Sequence, residues 1–358
     1  MTTLAETLLW LCSIPSPTGE EGPLCDAVLA RVERSALAAP ARRYGHSLVV
    51  PVTRGTGGPR LALAGHLDVV RTEHEGPPRI EGDLLYGPGA ADMKAGLAVM
   101  LGLLETPPAA HLRCDLTLVF YAREEGPYLE NELGPVLAED PDLRAADLAV
   151  CLEPSDNRLS LGCNGSLHAR VTFEGRTAHS SRPWQGENAI HKAAALLTRL
   201  AALSPVAYAE GDLVYRMVTS ATTAEGGRGR NVVPDTFTLN LNHRFTPNQT
   251  LPEAEAYLRA LVGEDARVEL IDRSPSAPTF RDHPLVEKLV AAGVVAVESK
   301  QAWTDVARFA DLGIPAVNFG PGVNAQAHQK NEHTRLSLLA EGDVILRRFV
   351  SSLSGKTE

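Results

Sequence analysis

Short apolar runs recur through the first half of the chain, and each leads into glycine or a charged side chain. Residues 60–64 (RLALA) run into Gly65 and His66, residues 116–122 (LTLVFYA) precede Glu124 and Glu125, and residues 147–152 (DLAVCL) precede Glu153. Unbroken apolar character over a strand's length predicts strands covered on both faces. Residues 95–105 (AGLAVMLGLLE) form a longer run behind a Gly/Pro-rich loop and predict an apolar helix. Strand, helix and strand in this order predict a largely parallel sheet with helices packed over it.

The texture changes near Ser166. Residues 168–174 (HARVTFE) and 236–245 (TFTLNLNHRF) alternate apolar and polar positions, as strands with one exposed face do. Helices are predicted at about 188–203 and 252–261, which together with these strands suggest a small α+β insert of the ferredoxin-like kind. Beyond Pro278 the earlier pattern returns, with a helix predicted over 284–296 and a short strand over 316–319. The expected fold class is α/β: a catalytic domain of residues 1–164 and 277–358 with a mostly parallel sheet, interrupted by an inserted domain of residues 165–276.

Composition narrows the picture without changing it. A chain of 358 residues is long for one core, so two domains are expected. No apolar run is long enough to cross a membrane, and the stretch before Arg31 carries no basic residue of a secretory leader, so a cytoplasmic location is expected. The net charge of -10 argues against a nucleic-acid partner, which needs a basic surface. Cys12, Cys25, Cys114, Cys151 and Cys163 are odd in number and scattered, a pattern of reduced, buried thiols.

Five segments carry candidate chemistry, all at strand ends or in adjoining loops. In Gly65-His66-Leu67-Asp68, residues two apart face the same side, so His66 can bind a metal while Asp68 orients its other ring nitrogen. Asp92 follows a glycine loop and precedes the apolar helix; taken alone, that is the place of an N-cap aspartate. Glu124 and Glu125 repel one another unless a cation lies between them. Glu153 ends an apolar strand, and His328 follows a Gly-rich loop; each alone reads as a solvated loop residue. Taken together, two histidines and three carboxylates beyond strand ends suit a pair of zinc ions with nitrogen and oxygen ligands.

The order and spacing of GHLD, GxxxxDMKAG, EEG, LEP and AHxxxE resemble those of the zinc aminoacylase and carboxypeptidase family of amidohydrolases, over essentially the whole chain. The resemblance implies a zinc-peptidase-like catalytic domain, an inserted lid and dimerisation domain, and a homodimer. It implies two Zn2+, with Co2+ or Mn2+ as substitutes: His66 and Glu153 on one ion, Glu125 and His328 on the other, and Asp92 bridging. It also implies Glu124 as general base, Asp68 as the residue behind His66, and His179 as an oxyanion donor reaching the other subunit's site. Longer stretches, GRTAHSSRPWQGENAIHK and WTDVARFADLGIPAVNFGPG, resemble the succinyl-diaminopimelate desuccinylase branch of that family in its actinobacterial form. Two departures stand out: GPGAAD before the helix, where many relatives have Cys and Thr or Ser, and Asn164, where some carry arginine.

The expected partner is therefore a small N-acyl amino acid, with neither nucleic acid nor membrane involved. Succinyl-diaminopimelate carries three carboxylates, which arginine and polar donors hold. The candidates in matched stretches are Asn231 and Arg244 in the insert and Thr304 and Arg308 in the returning segment. Arg228 and Arg230 read as a flexible basic loop. Hinges are expected near 163–166 and 274–278, with closure on substrate. Acetylornithine, another N-acyl amino acid or a dipeptide is the alternative substrate. A non-catalytic binding protein would lack a ligand or the base, and none is lacking.

Overall fold

The computed structural model describes residues 3–106 and 112–353. The chain divides into two compact units: Met1–Gly162 with Thr279–Glu298 and Arg308–Glu358, and Cys163–Pro278 with Ser299–Ala307. The small segment Ser299–Ala307 is a departure from the sequence reading, which kept it with the returning catalytic part. Its bonds explain the difference. Ser299 Oγ and Gln301 Nε2 both donate to the Val214 carbonyl, Gln301 Oε1 accepts from the Arg216 N–H, and Trp303 Nε1 donates to the Pro275 carbonyl.

An eight-stranded mixed sheet forms the middle of the first unit. Its central strands are, in spatial order, Asp115–Tyr121, Arg60–His66, Leu148–Cys151 and Ala316–Asn318, all mutually parallel. These are the apolar runs of the sequence, and their side chains are almost wholly buried. Antiparallel strands flank them: Ser47–Pro51 on one side and Leu159–Leu161 on the other. The parallel strands share a direction, so the residues that follow them emerge along one edge of the sheet.

The helix Lys94–Glu105 packs on the Arg60–His66 strand and lies against the helices Leu4–Ser13 and Leu336–Ser352. It is buried nearly all round, which accounts for its apolar character on every side. Two glycines permit its close approach. A Cβ at Gly65 would stand 2.6 Å from Leu97 Cδ2, and one at Gly96 would stand 2.6 Å from Leu152 Cβ. The helix is thus pressed onto the strand ends bearing His66 and Glu153. Lys94 is fully buried, and its Nζ donates to the Leu11 and Ile14 carbonyls at the end of the Leu4–Ser13 helix. Elsewhere the predicted helix over 284–296 stops early, at Pro284–Ala291, because Gly293 turns into the left-handed region at φ 110°.

The second unit holds a five-stranded antiparallel sheet. Its spatial order is Val206–Glu210, Leu213–Gly226, Thr236–Phe245, Gly165–Glu174, Arg267–Ser274. The last four, joined through the helices Ala194–Ala202 and Leu251–Val262, make the ferredoxin-like β-α-β-β-α-β arrangement. Every second residue of Thr236–Phe245 is buried, with Leu239, Leu241 and Phe245 packing beside Leu196 and Leu258. The long strand Leu213–Gly226 was not foreseen. Only its first residues, through Met217, pair with Val206–Glu210; beyond them one edge carries no described strand.

All five cysteines are buried and free. Burial pushes the Cys12 thiol up to about 12 and those of Cys25, Cys114 and Cys163 to about 11.

Candidate functional site

Four loops at the carboxyl edge of the parallel strands converge in the first unit. His66 ends the Arg60–His66 strand, Glu124 and Glu125 follow the Asp115–Tyr121 strand, and Glu153 follows Leu148–Cys151. His328 lies in the loop after Ala316–Asn318, at φ 60°. Asp92 arrives from the side, on the loop before the buried helix. It does not cap that helix: the first position outside it is Met93, without a side-chain cap.

The ligand atoms group into triads. His66, Asp92 and Glu153 offer donor atoms within 4.8 Å of one another, and so do Asp92, Glu125 and His328. Asp92 belongs to both. Its Oδ1 stands 3.2 Å from His66 Nε2, and its Oδ2 stands 3.5 Å from His328 Nε2. His328 Nε2 also lies 2.7 Å from Glu125 Oε1. A third triad, His66 with Glu124 and Glu125, overlaps these two.

Charge shows in the proton affinities. Burial would push the His66 imidazole down, but Asp92, Asp68 and Glu153 hold it well above the ordinary histidine value. Contacts with Asp92 and Glu125 push His328 up to about 10. Burial would raise Asp92, yet the two imidazoles keep its carboxyl well below the usual carboxylate range.

Asp68 is fully buried and takes a different part from the one expected of it. His66 Nδ1 lies nearer the Asp68 carbonyl, at 3.0 Å, than its carboxylate, at 3.6 Å. The carboxylate instead accepts the N–H of Glu124 at 3.0 Å and of Glu125 at 3.1 Å, with the Thr18 hydroxyl at 3.1 Å. One residue earlier, the Arg123 N–H donates to the buried carboxylate of Glu21 at 3.2 Å. Thr18 and Glu21 were missed in the sequence: Thr18 meets Asp68 from 50 positions away, and Glu21 serves backbone amides, which have no residue type to give them away.

The remaining candidates are divided between the two units. Arg308 belongs to the first unit, where its guanidinium lies 3.7 Å over the Tyr128 ring and donates to the Tyr128 carbonyl, in the loop after Glu125. His179, Asn231, Arg244 and Thr304 belong to the second unit. His179 is exposed, and its Nδ1 accepts from the Ser181 N–H at 3.1 Å; the neighbouring Ser180 N–H donates to the Asn231 carbonyl. Arg244 Nε donates to Asn242 Oδ1 at 3.0 Å. Thr304 is buried, and its carbonyl accepts from the Cys163 thiol. Asn164 is buried too and donates to the Arg216 carbonyl. Arg228 is exposed and paired with Asp235.

The family model of peptidase family M20/M25/M40 matches residues 62–352. The chain is 38% identical over 95% of its length, and 96% of the relative's, to a Mycobacterium tuberculosis protein provisionally named succinyl-diaminopimelate desuccinylase DapE. It is 34% identical to the succinyl-diaminopimelate desuccinylase of Corynebacterium glutamicum, over 95% of this chain and 94% of the relative. Among solved structures, a Staphylococcus aureus tripeptidase matches with TM-score 0.77 at 20% identity, over 98% and 97% of the two chains. The Bacillus subtilis YXEP protein, a dinuclear metal binding peptidase, matches with TM-score 0.70 at 15% identity, over 97% and 96%. At these identities the two structures speak for the fold, and the family model and the desuccinylase relatives go further: this chain belongs to peptidase family M20/M25/M40.

Proposed function

We propose that this hydrolase removes the succinyl group from N-succinyl-LL-2,6-diaminopimelate, giving succinate and LL-2,6-diaminopimelate in lysine biosynthesis. The observation that carries the reading is the pair of ligand triads sharing Asp92 in a chain 34–38% identical to desuccinylases. The donor set of imidazoles and carboxylates fits two borderline divalent cations, zinc first, with Co2+ or Mn2+ as substitutes. The negative charge that raises both imidazoles is the charge such cations neutralise. His66 and Glu153 would hold one ion, Glu125 and His328 the other, with Asp92 between them. Bound metal polarises an amide carbonyl and lowers the pKa of water.

Glu124 is the general base. It takes the proton of the attacking water and returns it to the leaving amine nitrogen. Its backbone is held by Asp68, next to the Glu125 backbone that the same carboxylate holds. His179 donates to the developing oxyanion from the other subunit of a homodimer. The open edge of Leu213–Gly226 supports such a dimer, since an unpaired edge recruits a second strand. Asn231, Arg244, Thr304 and Arg308 hold the substrate's carboxylates, on closure of the insert as a lid. Five buried free thiols go with a reducing compartment, the cytoplasm.

A panel of N-acyl substrates, assayed with zinc-loaded protein, tests the reading. Succinyl-diaminopimelate should be hydrolysed fastest. Faster turnover of acetylornithine or of a dipeptide would replace the substrate and keep the chemistry.

A further inference from the structure

The motif Ala327-His328-Gln329-Lys330-Asn331-Glu332 ends on a carboxylate that the proposed reaction leaves without a role. Glu332 is only 4% exposed. Its Oε1 accepts the N–H groups of Ala91 and Asp92, each at 2.8 Å, and its Oε2 accepts that of Gly89 at 3.1 Å. Its carbonyl accepts the Gly87 N–H at 3.0 Å. Strand register brings this about. The strand His333–Arg335 pairs with Leu84–Tyr86, His333 opposite Tyr86, so Glu332 falls alongside the loop that begins at Gly87.

Three backbone donors aimed at one point make an anion-binding hollow, and here the anion is a side chain of the same protein. Burying that charge near Asp92 adds like-charge repulsion to a site already rich in carboxylates. Merely covering the loop would not require it. The same segment also supplies His328, whose Nε2 approaches Asp92 Oδ2 at 3.5 Å. Asp92 is therefore held twice from one stretch of chain: by its side chain through His328 and by its backbone through Glu332.

We propose that Glu332 is a positioning residue for Asp92, locking the loop so that the Asp92 carboxylate stands between the two ligand triads. The proposal rests on the reading of Asp92 as a shared metal ligand. Gln at position 332 keeps the volume and one acceptor but turns an amide N–H₂ toward a backbone N–H.

Three measurements on the full chain decide it: zinc affinity by competition with a chromophoric chelator, thermal unfolding of metal-free protein, and amide exchange over residues 87–92. In Glu332→Gln we expect zinc to bind roughly 10–100-fold more weakly. Exchange over the loop should quicken, and the metal-free unfolding midpoint should stay close to that of wild type. Wild-type zinc affinity in the variant would overturn the proposal. So would a fall in affinity matched by a lowered metal-free midpoint, which marks a structural role alone. If Glu332→Gln does not fold, Glu332→Asp takes its place: weakened zinc supports the proposal, and unchanged zinc overturns it. A wild-type protein that binds no zinc at all overturns the metal reading instead, whatever the variants do.

Discussion

Asp68 Oδ1 accepts the backbone N–H of Glu124 at 3.0 Å, so the proposed base is held through its main chain by a fully buried acid. The same carboxylate serves the Glu125 N–H, and Asp68 offers its carbonyl to His66. Removing it should loosen base and ligands together. Asp68→Ala is expected to lower kcat roughly 10–100-fold, with Asp68→Asn in between because one acceptor survives. Steady-state kinetics with bound metal counted in each variant provides the check; wild-type kcat in Asp68→Ala would dismiss the link.

Glu124, the proposed base, is not needed to complete either Asp92 triad. Glu124→Ala should retain its metal while kcat falls by about 10²–10⁴-fold. Elemental analysis beside the hydrolysis assay separates the two effects. Unchanged hydrolysis would remove the base assignment.

Sharing of Asp92 predicts unequal losses among the ligands. Chelation should abolish hydrolysis, and added zinc should restore it. Asp92→Ala should weaken both ions, whereas Glu153→Ala and His328→Ala should each weaken one. Titration of metal-free protein with zinc reads the number of sites. Two intact sites in Asp92→Ala would rule out bridging.

His243, in the second unit, predicts a pH effect of its own. It is fully buried between Phe245 and Tyr257, and its Nδ1 contacts the Thr219 hydroxyl at 2.8 Å. Burial pushes its imidazole down to about 4, despite a contact with the Val218 backbone. An unfolded histidine titrates near 6.5, so the unfolded chain binds the extra proton first as pH falls. Stability from this group is whole above about pH 6.5 and is lost as pH drops toward 4, on the order of 3 kcal/mol. Denaturant unfolding followed by amide exchange in the 236–245 strand should show that slope, and His243→Leu should flatten it. Equal slopes in the two proteins would refute it.

Much of this was legible because the candidate ligands stand where unbroken apolar runs stop. His66, Glu124, Glu125 and Glu153 each follow such a run, and the parallel strands then bring the run ends to one edge. The alternation in 168–174 and 236–245 likewise exposed the insert. Leu213–Gly226 escaped notice because most of its residues are exposed on both faces, which leaves no alternation to read. Ser299–Ala307 went to the wrong unit because its bonds reach residues some 85 positions away. Glu332 and Glu21 were unassigned for a further reason. Their partners are largely backbone amides, which every residue has.

The five buried thiols turn the protein into its own recorder of opening. A thiol held near 11 or 12 offers almost no thiolate to an alkylating reagent in the folded chain. Cys12, Cys25, Cys114 and Cys163 should therefore be labelled only when their surroundings open. Four of the five lie in the first unit and Cys163 in the second. Timed alkylation, read peptide by peptide, would clock the breathing of each unit in the unaltered protein.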